Sequence, residues 1–238
     1  MKLKQITYFK YVLYFLVFSL NVHAGEYEDY LDPKDVADWK LLGKGSVKIV
    51  DEGMLKLSEG SDSKGVVLLS PQKYPANTML SFSFKPLQHK GIGVVLHSVS
   101  DINGQEVNVP ENYDGNLNFW RSKNTSVQNY IFTFHTAFHQ QRQQHAPYPV
   151  ALLRRNPGFI ELGKGKDTVI DEGWHRIEIG RQETTLWLSV DGNLVFKIND
   201  PRQALPGGHI GLRLRGPGDG SFSSLYKDFA IKSSLASD

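Results

Sequence analysis

The chain has 238 residues, with 27 Lys and Arg against 25 Asp and Glu, 40% apolar residues and no Cys. This composition excludes a mainly disordered chain, a disulfide scaffold, a thiol nucleophile and a Cys-bound zinc site. The first 24 residues carry Lys2, Lys4 and Lys10 and no acid, leaving 24 basic against 25 acidic residues in the remainder. Net charge therefore gives no reason to expect a nucleic-acid partner.

Residues 1–24 read as a secretory signal peptide. Lys2 and Lys4 make a basic start, Tyr11 to Leu20 is a short apolar run, and Val22 and Ala24 are the small residues ahead of a cut before Gly25. The apolar run falls short of the ~20 residues a membrane span needs. The expectation is an exported protein, periplasmic or secreted, with no membrane anchor in its mature form.

Asp32 followed by Pro33 predicts a short helix ending near Trp39. The rest has the period of strands. Leu80, Phe82 and Phe84 alternate with Ser81 and Ser83. Leu186, Leu188 and Val190 alternate with Trp187 and Ser189, and Asp191-Gly192 then predicts a hairpin into Leu194–Ile198. Ile210, Leu212 and Leu214 alternate with Gly211, Arg213 and Arg215. About a dozen such runs imply an all-β fold, a two-sheet antiparallel jelly roll forming one domain over residues 25–238. Between Ser98 and Asn118 the alternation lapses into a long loop-rich stretch that either borders a binding site or is a plain surface insertion.

The segment from Asn129 to Phe159 is the most unusual. It holds His135, His139 and His145, with Arg142, Arg154, Arg155, Tyr130 and Tyr148. Alternation puts Asn129, Ile131, Thr133, His135 and His139 on one face and the core-like Tyr130, Phe132, Phe134 and Phe138 on the other. Three readings compete: a metal site, histidines that merely pack on a sheet, and an acid/base and anion-binding cluster. The spacing H-x3-H-x5-H lacks the carboxylate of the common helical zinc motif, and no metal or cofactor is called for. Trp120 and Trp187 are candidates for stacking on a sugar ring, and Arg213 and Arg215 for holding an anionic substituent. No G-x-S-x-G elbow, phosphate-binding glycine loop or dinucleotide fingerprint is present. Nor is there the pair of closely spaced acids on one strand that a retaining sandwich glycosidase needs.

The runs WHRIEI, LWLSVDGNLVFKI, GGHIGLRLRG and SLYKDFAIK resemble the cadence of concanavalin A-like lectin and glucanase folds. DVADWKL, MLSFSFKPL, the aromatic strand leading to LLRRNPGF, and the closing YKDFAI resemble the YesU-like family within them. The resemblance spans nearly the whole mature chain. It implies a jelly roll with a concave sugar-binding face, a part in breaking down uronate-containing polysaccharides, and RRNPGF beside the cleft. Exported marine relatives are linked to ulvan, a sulfated polymer of rhamnose and uronic acid.

The activity this implies is β-elimination at a uronate of an acidic oligosaccharide, chiefly a dehydratase removing water from a terminal uronate. A polysaccharide lyase, a non-catalytic carbohydrate-binding protein and a glycoside hydrolase are the alternatives. The candidate base is His135 or His139 and the candidate proton donor Tyr130 or Tyr148. Arg142 or Arg154 would meet the carboxylate, with His145, Trp120 and Trp187 completing the substrate-binding set and Arg213 or Arg215 holding a sulfate.

Overall fold

The computed structural model describes residues 26–88, 90–121, 126–137, 150–166, 168–169 and 171–234. The chain enters through strand β1 (Glu26–Leu31) and the short helix α1 (Pro33–Ala37), where the Asp32 carboxylate accepts from the Lys34 N–H at 2.8 Å. That is the cap the sequence predicts, with proline at the first helical position, where its missing N–H costs nothing.

Strands then follow: β2 (Lys40–Gly43), β3 (Gly45–Val50), β4 (Met54–Glu59), β5 (Val66–Leu69), β6 (Asn77–Pro86) and β7 (Ile92–Asp101). After the loop and the single helical turn α2 (Asn118–Arg121) come β8 (Val127–His135), β9 (Val150–Asn156), β10 (Ile160–Lys166) and β11 (His175–Gln182). The last four are β12 (Thr185–Val190), β13 (Asn193–Asn199), β14 (His209–Arg215) and β15 (Ser223–Ser234).

They form two antiparallel sheets, a sandwich as the alternation predicts. One runs β13-β12-β11-β6-β15-β4-β3, with β1 pairing the distal half of β15 and so making eight strands; the other runs β10-β9-β8-β7-β14-β5-β2. Asp191 and Gly192 both take positive φ, +52° and +74°, which closes β12 onto β13 in the tight turn their residue types favour.

Between the sheets lies the main core. Phe82 and Phe84 of the eight-stranded sheet meet Phe134 of the seven-stranded sheet edge-on, with ring centroids 5.7 and 5.0 Å apart. A second apolar cluster lies on the other side of the seven-stranded sheet. There Val107, Val109, Tyr113, Leu117, Phe119 and Trp120 pack on Leu42, Val67, Leu69, Val94, Leu96 and Ile131. The loop-rich stretch is therefore a cover over β5, β14 and β7.

Among the described residues no helix is long and apolar enough to cross a membrane.

Candidate functional site

The outer side of β8, β9 and β10 is set by register, and on it Asn129, Ile131, Thr133 and Asn156 are buried while Arg154 keeps 18% side-chain exposure. Asn129, Ile131 and Thr133 of β8 stand opposite Asn156, Arg154 and Leu152 of β9. Tyr130, Phe132, Ala151 and Leu153 belong to the main core, so these six residues face outward. Glu161 of β10 pairs with Arg154 on the same side. Asn129 Nδ2 donates to the Trp120 carbonyl at 3.0 Å, and Asn156 Nδ2 to Asn129 Oδ1 at 2.9 Å. Asn156 Oδ1 accepts from the Phe159 N–H at 3.0 Å. This chain of amides ties α2 to the β9–β10 turn.

That turn, Asn156-Pro157-Gly158-Phe159, contains a cis peptide before Pro157 and holds Phe159 at φ +55°. Left-handed backbone is costly for a bulky aromatic and, where it occurs, directs attention to function. Its effect here is to set the Phe159 ring between two cations. The Arg154 guanidinium lies 4.3 Å from the ring centroid and that of Arg121 4.8 Å. Arg121 Nε donates to Asn118 Oδ1 at 2.8 Å, and Glu161 Oε2 lies 3.8 Å from Arg154 Nη2. One carboxylate thus stands beside Arg154, and Arg121 reaches the same Phe159 ring. Burial, and then the charge of Arg121, lower the Arg154 pKa, while Glu161 opposes them. Guanidinium is the group that grips a carboxylate or sulfate with two parallel hydrogen bonds.

Of the residues singled out in the sequence, Arg154 alone among the described ones occupies this site. His139, Arg142, His145 and Tyr148, like the signal segment 1–24, lie outside the described residues.

His135 does not share a face with Asn129 and Thr133. The pairing shifts between Gly93–His135 and Val94–Thr133, so Phe134 is an extra residue in β8. Such a bulge breaks the alternation. The His135 ring is fully buried, 5.8 Å from the ring of Phe84 in the opposite sheet. In that position it meets no solvent-borne substrate.

Tyr130 is buried between the sheets, and its hydroxyl donates to Asp200 Oδ2 at 2.9 Å. Arg155 forms an ion pair with the same oxygen and Arg181 lies 5.7 Å from the Tyr130 ring. Burial, then Asp200, raises the phenol's pKa. Tyr130 is a buried tie, as its alternation with core phenylalanines anticipates, and not an exposed proton donor.

Trp120 is fully buried beneath the cover, its indole N–H donating to Tyr113 Oη at 2.7 Å, and offers no face to a sugar. Arg213 is buried under the same cover and donates through Nη2 to the carbonyls of Lys64 (2.9 Å) and Gly115 (3.2 Å). Arg215 pairs with the buried Glu59 at 2.6 Å. Both arginines anchor loops and are not free for sulfate. Trp187 lies on the other sheet, on its outer face. Arg121 and Phe159 are the site residues that sequence reasoning missed. The only hint was RRNPGF, and nothing in the sequence tied it to Arg121, more than thirty positions earlier.

Among the described residues no three His, Asp or Glu side chains group to hold a metal ion.

A family model described as a domain of unknown function (DUF1961) matches residues 26–230. The uncharacterized protein YesU of Bacillus subtilis (strain 168) is 21% identical over 210 residues, 83% of this chain and 90% of that protein. A Bacillus subtilis protein of unknown function with a galectin-like fold superposes with a TM-score of 0.74 at 19% identity, covering 88% of this chain and 96% of that one. The Bacillus licheniformis β-glucanase superposes at 0.52 and 12% identity, covering 87% and 92%.

Proposed function

The chain belongs to the DUF1961 family, and from that premise we propose that it acts on acidic oligosaccharides by β-elimination at a terminal uronate. The Arg121–Phe159–Arg154 arrangement carries the reading: two cations meet one aromatic ring on the outer side of a sheet, and a carboxylate contacts Arg154 alone. The kinship of fold with a β-glucanase and a galectin-like protein supports a carbohydrate ligand. The surplus positive charge supports an acidic one.

A uronate C5 proton is weakly acidic while its carboxylate stays fully negative. Arg154 and Arg121 bind that carboxylate and so stabilise the charge that develops on proton removal. His139 takes the C5 proton, and the C–H electron pair becomes the C4=C5 double bond. The C4 hydroxyl departs with a proton from Tyr148 as water. With a glycosidic oxygen at C4 the same electron flow cleaves the chain, giving a lyase. His139, Arg142, His145 and Tyr148 all fall between β8 and β9 in the sequence. The same reading places the protein outside the cytoplasm, after removal of residues 1–24.

One observation favours a second reading, a non-catalytic carbohydrate-binding protein. Two of the four acid/base candidates, His135 and Tyr130, lie in the core. A single experiment separates the two. The mature protein is incubated with uronate-terminated, sulfated rhamnose oligosaccharides, the products are weighed by mass spectrometry and binding is followed by calorimetry. Loss of one water, abolished in His139→Ala, is the expected result. Binding with no mass change establishes the binding protein. Neither binding nor turnover over a panel of acidic oligosaccharides overturns both.

A further inference from the structure

The outer face of the eight-stranded sheet carries a second feature. Leu186 and Leu188 point into the core, so Trp187 between them leaves the sheet on the outer side. Its cross-strand neighbours are Gly180 of β11 and Lys197 of β13. A Cβ built on Gly180 would fall 2.1 Å from Trp187 Cζ2, 2.5 Å from Cε2 and 2.6 Å from Cη2. The six-membered ring of the indole therefore rests on bare glycine backbone, and any larger residue would lift it off.

Beside the ring is a depression of about 510 Å³, within the range of ligand pockets, lined by Gln182, Glu183, Thr185, Trp187, Leu194 and Lys197. Leu194 is 59% exposed. Glu183 sits at φ +53° with its N–H donating to Asn77 Oδ1 at 2.7 Å, which fixes the turn that carries it. No ion pair among the described residues engages the Glu183 carboxylate or the Lys197 ammonium.

We propose that this depression is a carbohydrate-binding site in its own right, separate from the arginine pair, in which one pyranose ring stacks on Trp187. A pyranose presents an apolar C–H face and a rim of hydroxyls that both donate and accept. The depression matches that pattern: an aromatic floor, one aliphatic wall, and a carboxylate, an amide and an ammonium around it. A polyanion would not choose a site with Glu183 on its rim. An apolar peptide would need more than Trp187 and Leu194. The site gives the protein a second hold on a polysaccharide from the sheet opposite the arginine pair.

The test is affinity electrophoresis of the mature protein in gels containing a sulfated rhamnose–uronate polysaccharide or, separately, an uncharged β-glucan. Retardation is expected in the uncharged β-glucan gel. Trp187→Ala is expected to weaken the dissociation constant about tenfold, as for a tryptophan hot spot. Glu183→Ala, at an exposed position whose loss leaves the fold intact, is expected to weaken it measurably in the same gel. If the β-glucan gel does not retard the wild-type protein, or if both variants migrate in it as the wild type does, the proposal is wrong. The mass assay reads the other face, so each reading fails on its own result.

Discussion

Arg154 and Arg213 show how one residue type takes two roles. Both leave the seven-stranded sheet on its outer side. Arg154 stands beside Phe159 with 18% of its side chain exposed, whereas Arg213 is buried under the loop that Tyr113 and Gly115 belong to. Arg213→Met leaves the Lys64 and Gly115 carbonyls without their donor, and a buried group left unpaired costs roughly 1–3 kcal/mol. Urea unfolding is expected to show that loss. Arg154→Met is expected to change stability by less than about 1 kcal/mol and to abolish turnover of a uronate-terminated oligosaccharide. The reverse pattern would place the ligand under the cover.

His97 supplies a second prediction at this scale. It is buried, with Nε2 at 3.0 Å from the Thr78 carbonyl and Nδ1 at 2.8 Å from Ser98 Oγ. Burial holds its pKa near 4, against 6.5 in an open chain. The folded state thus binds fewer protons than the unfolded state between those two values. Stability is full above about pH 6.5 and falls as the pH drops toward 4, by up to roughly 1.4 kcal/mol per unit. Unfolding free energies at pH 7.5 and 5 are expected to differ accordingly, and His97→Gln to flatten the slope. An unchanged slope in the variant would assign the acid sensitivity elsewhere.

Among the elements, the 102–121 cover packs over the outer side of β5, β14 and β7. It crosses the residue that leads into β5 at Gly115, where an added Cβ would fall 1.7 Å from the Gly65 carbonyl oxygen, and Gly115 has φ +87°. Gly115→Ala is strained on both counts and is expected to destabilise the fold by more than about 1 kcal/mol. Trp120→Ala removes the largest side chain beneath the cover, at an expected cost of about 3–5 kcal/mol. Chemical denaturation of both variants checks this, and a cover that contributed nothing would leave Trp120→Ala near wild type.

Alternation made the sandwich legible: β6, β12, β13 and β14 sit where their period-two patterns place them. It tells which side a residue leaves by, and not what lies over that side. Arg213 and Arg215 leave by the side their pattern gives, but under a cover the pattern does not show, while Trp120 lies in α2, outside any alternating run. For His135 even the side was unreadable, because one extra residue at Phe134 reverses the pattern and sequence does not mark a bulge. The Arg121–Phe159 contact is a long-range consequence of the amide chain through Asn129 and Asn156, invisible in local pattern.

At the scale of the whole molecule, the two outer faces differ in the physics by which each would hold a ligand, and that difference is measurable without knowing the sugar. The arginine pair attracts an anion by charge. Arg154 retains 18% side-chain exposure, so salt reaches it and screens the attraction, with a Debye length of about 8 Å at physiological ionic strength and about 3 Å at 1 M. The Trp187 shelf holds a ring by stacking and by hydrogen bonds from groups of opposite sign, Glu183 and Lys197, whose charges offset one another at a distance. Raising the salt from 0.05 to 0.5 M is therefore expected to weaken binding of an acidic oligosaccharide severalfold and to leave that of an uncharged β-glucan nearly unchanged. Arg154→Met should flatten the first dependence toward the second. Trp187→Ala should lower the affinity for the uncharged glycan at every salt concentration alike. Calorimetric titrations at four ionic strengths decide the matter: parallel salt dependence for both ligands, unaltered by Arg154→Met, would mean that one face holds both and that the arginine pair does not bind the acid group.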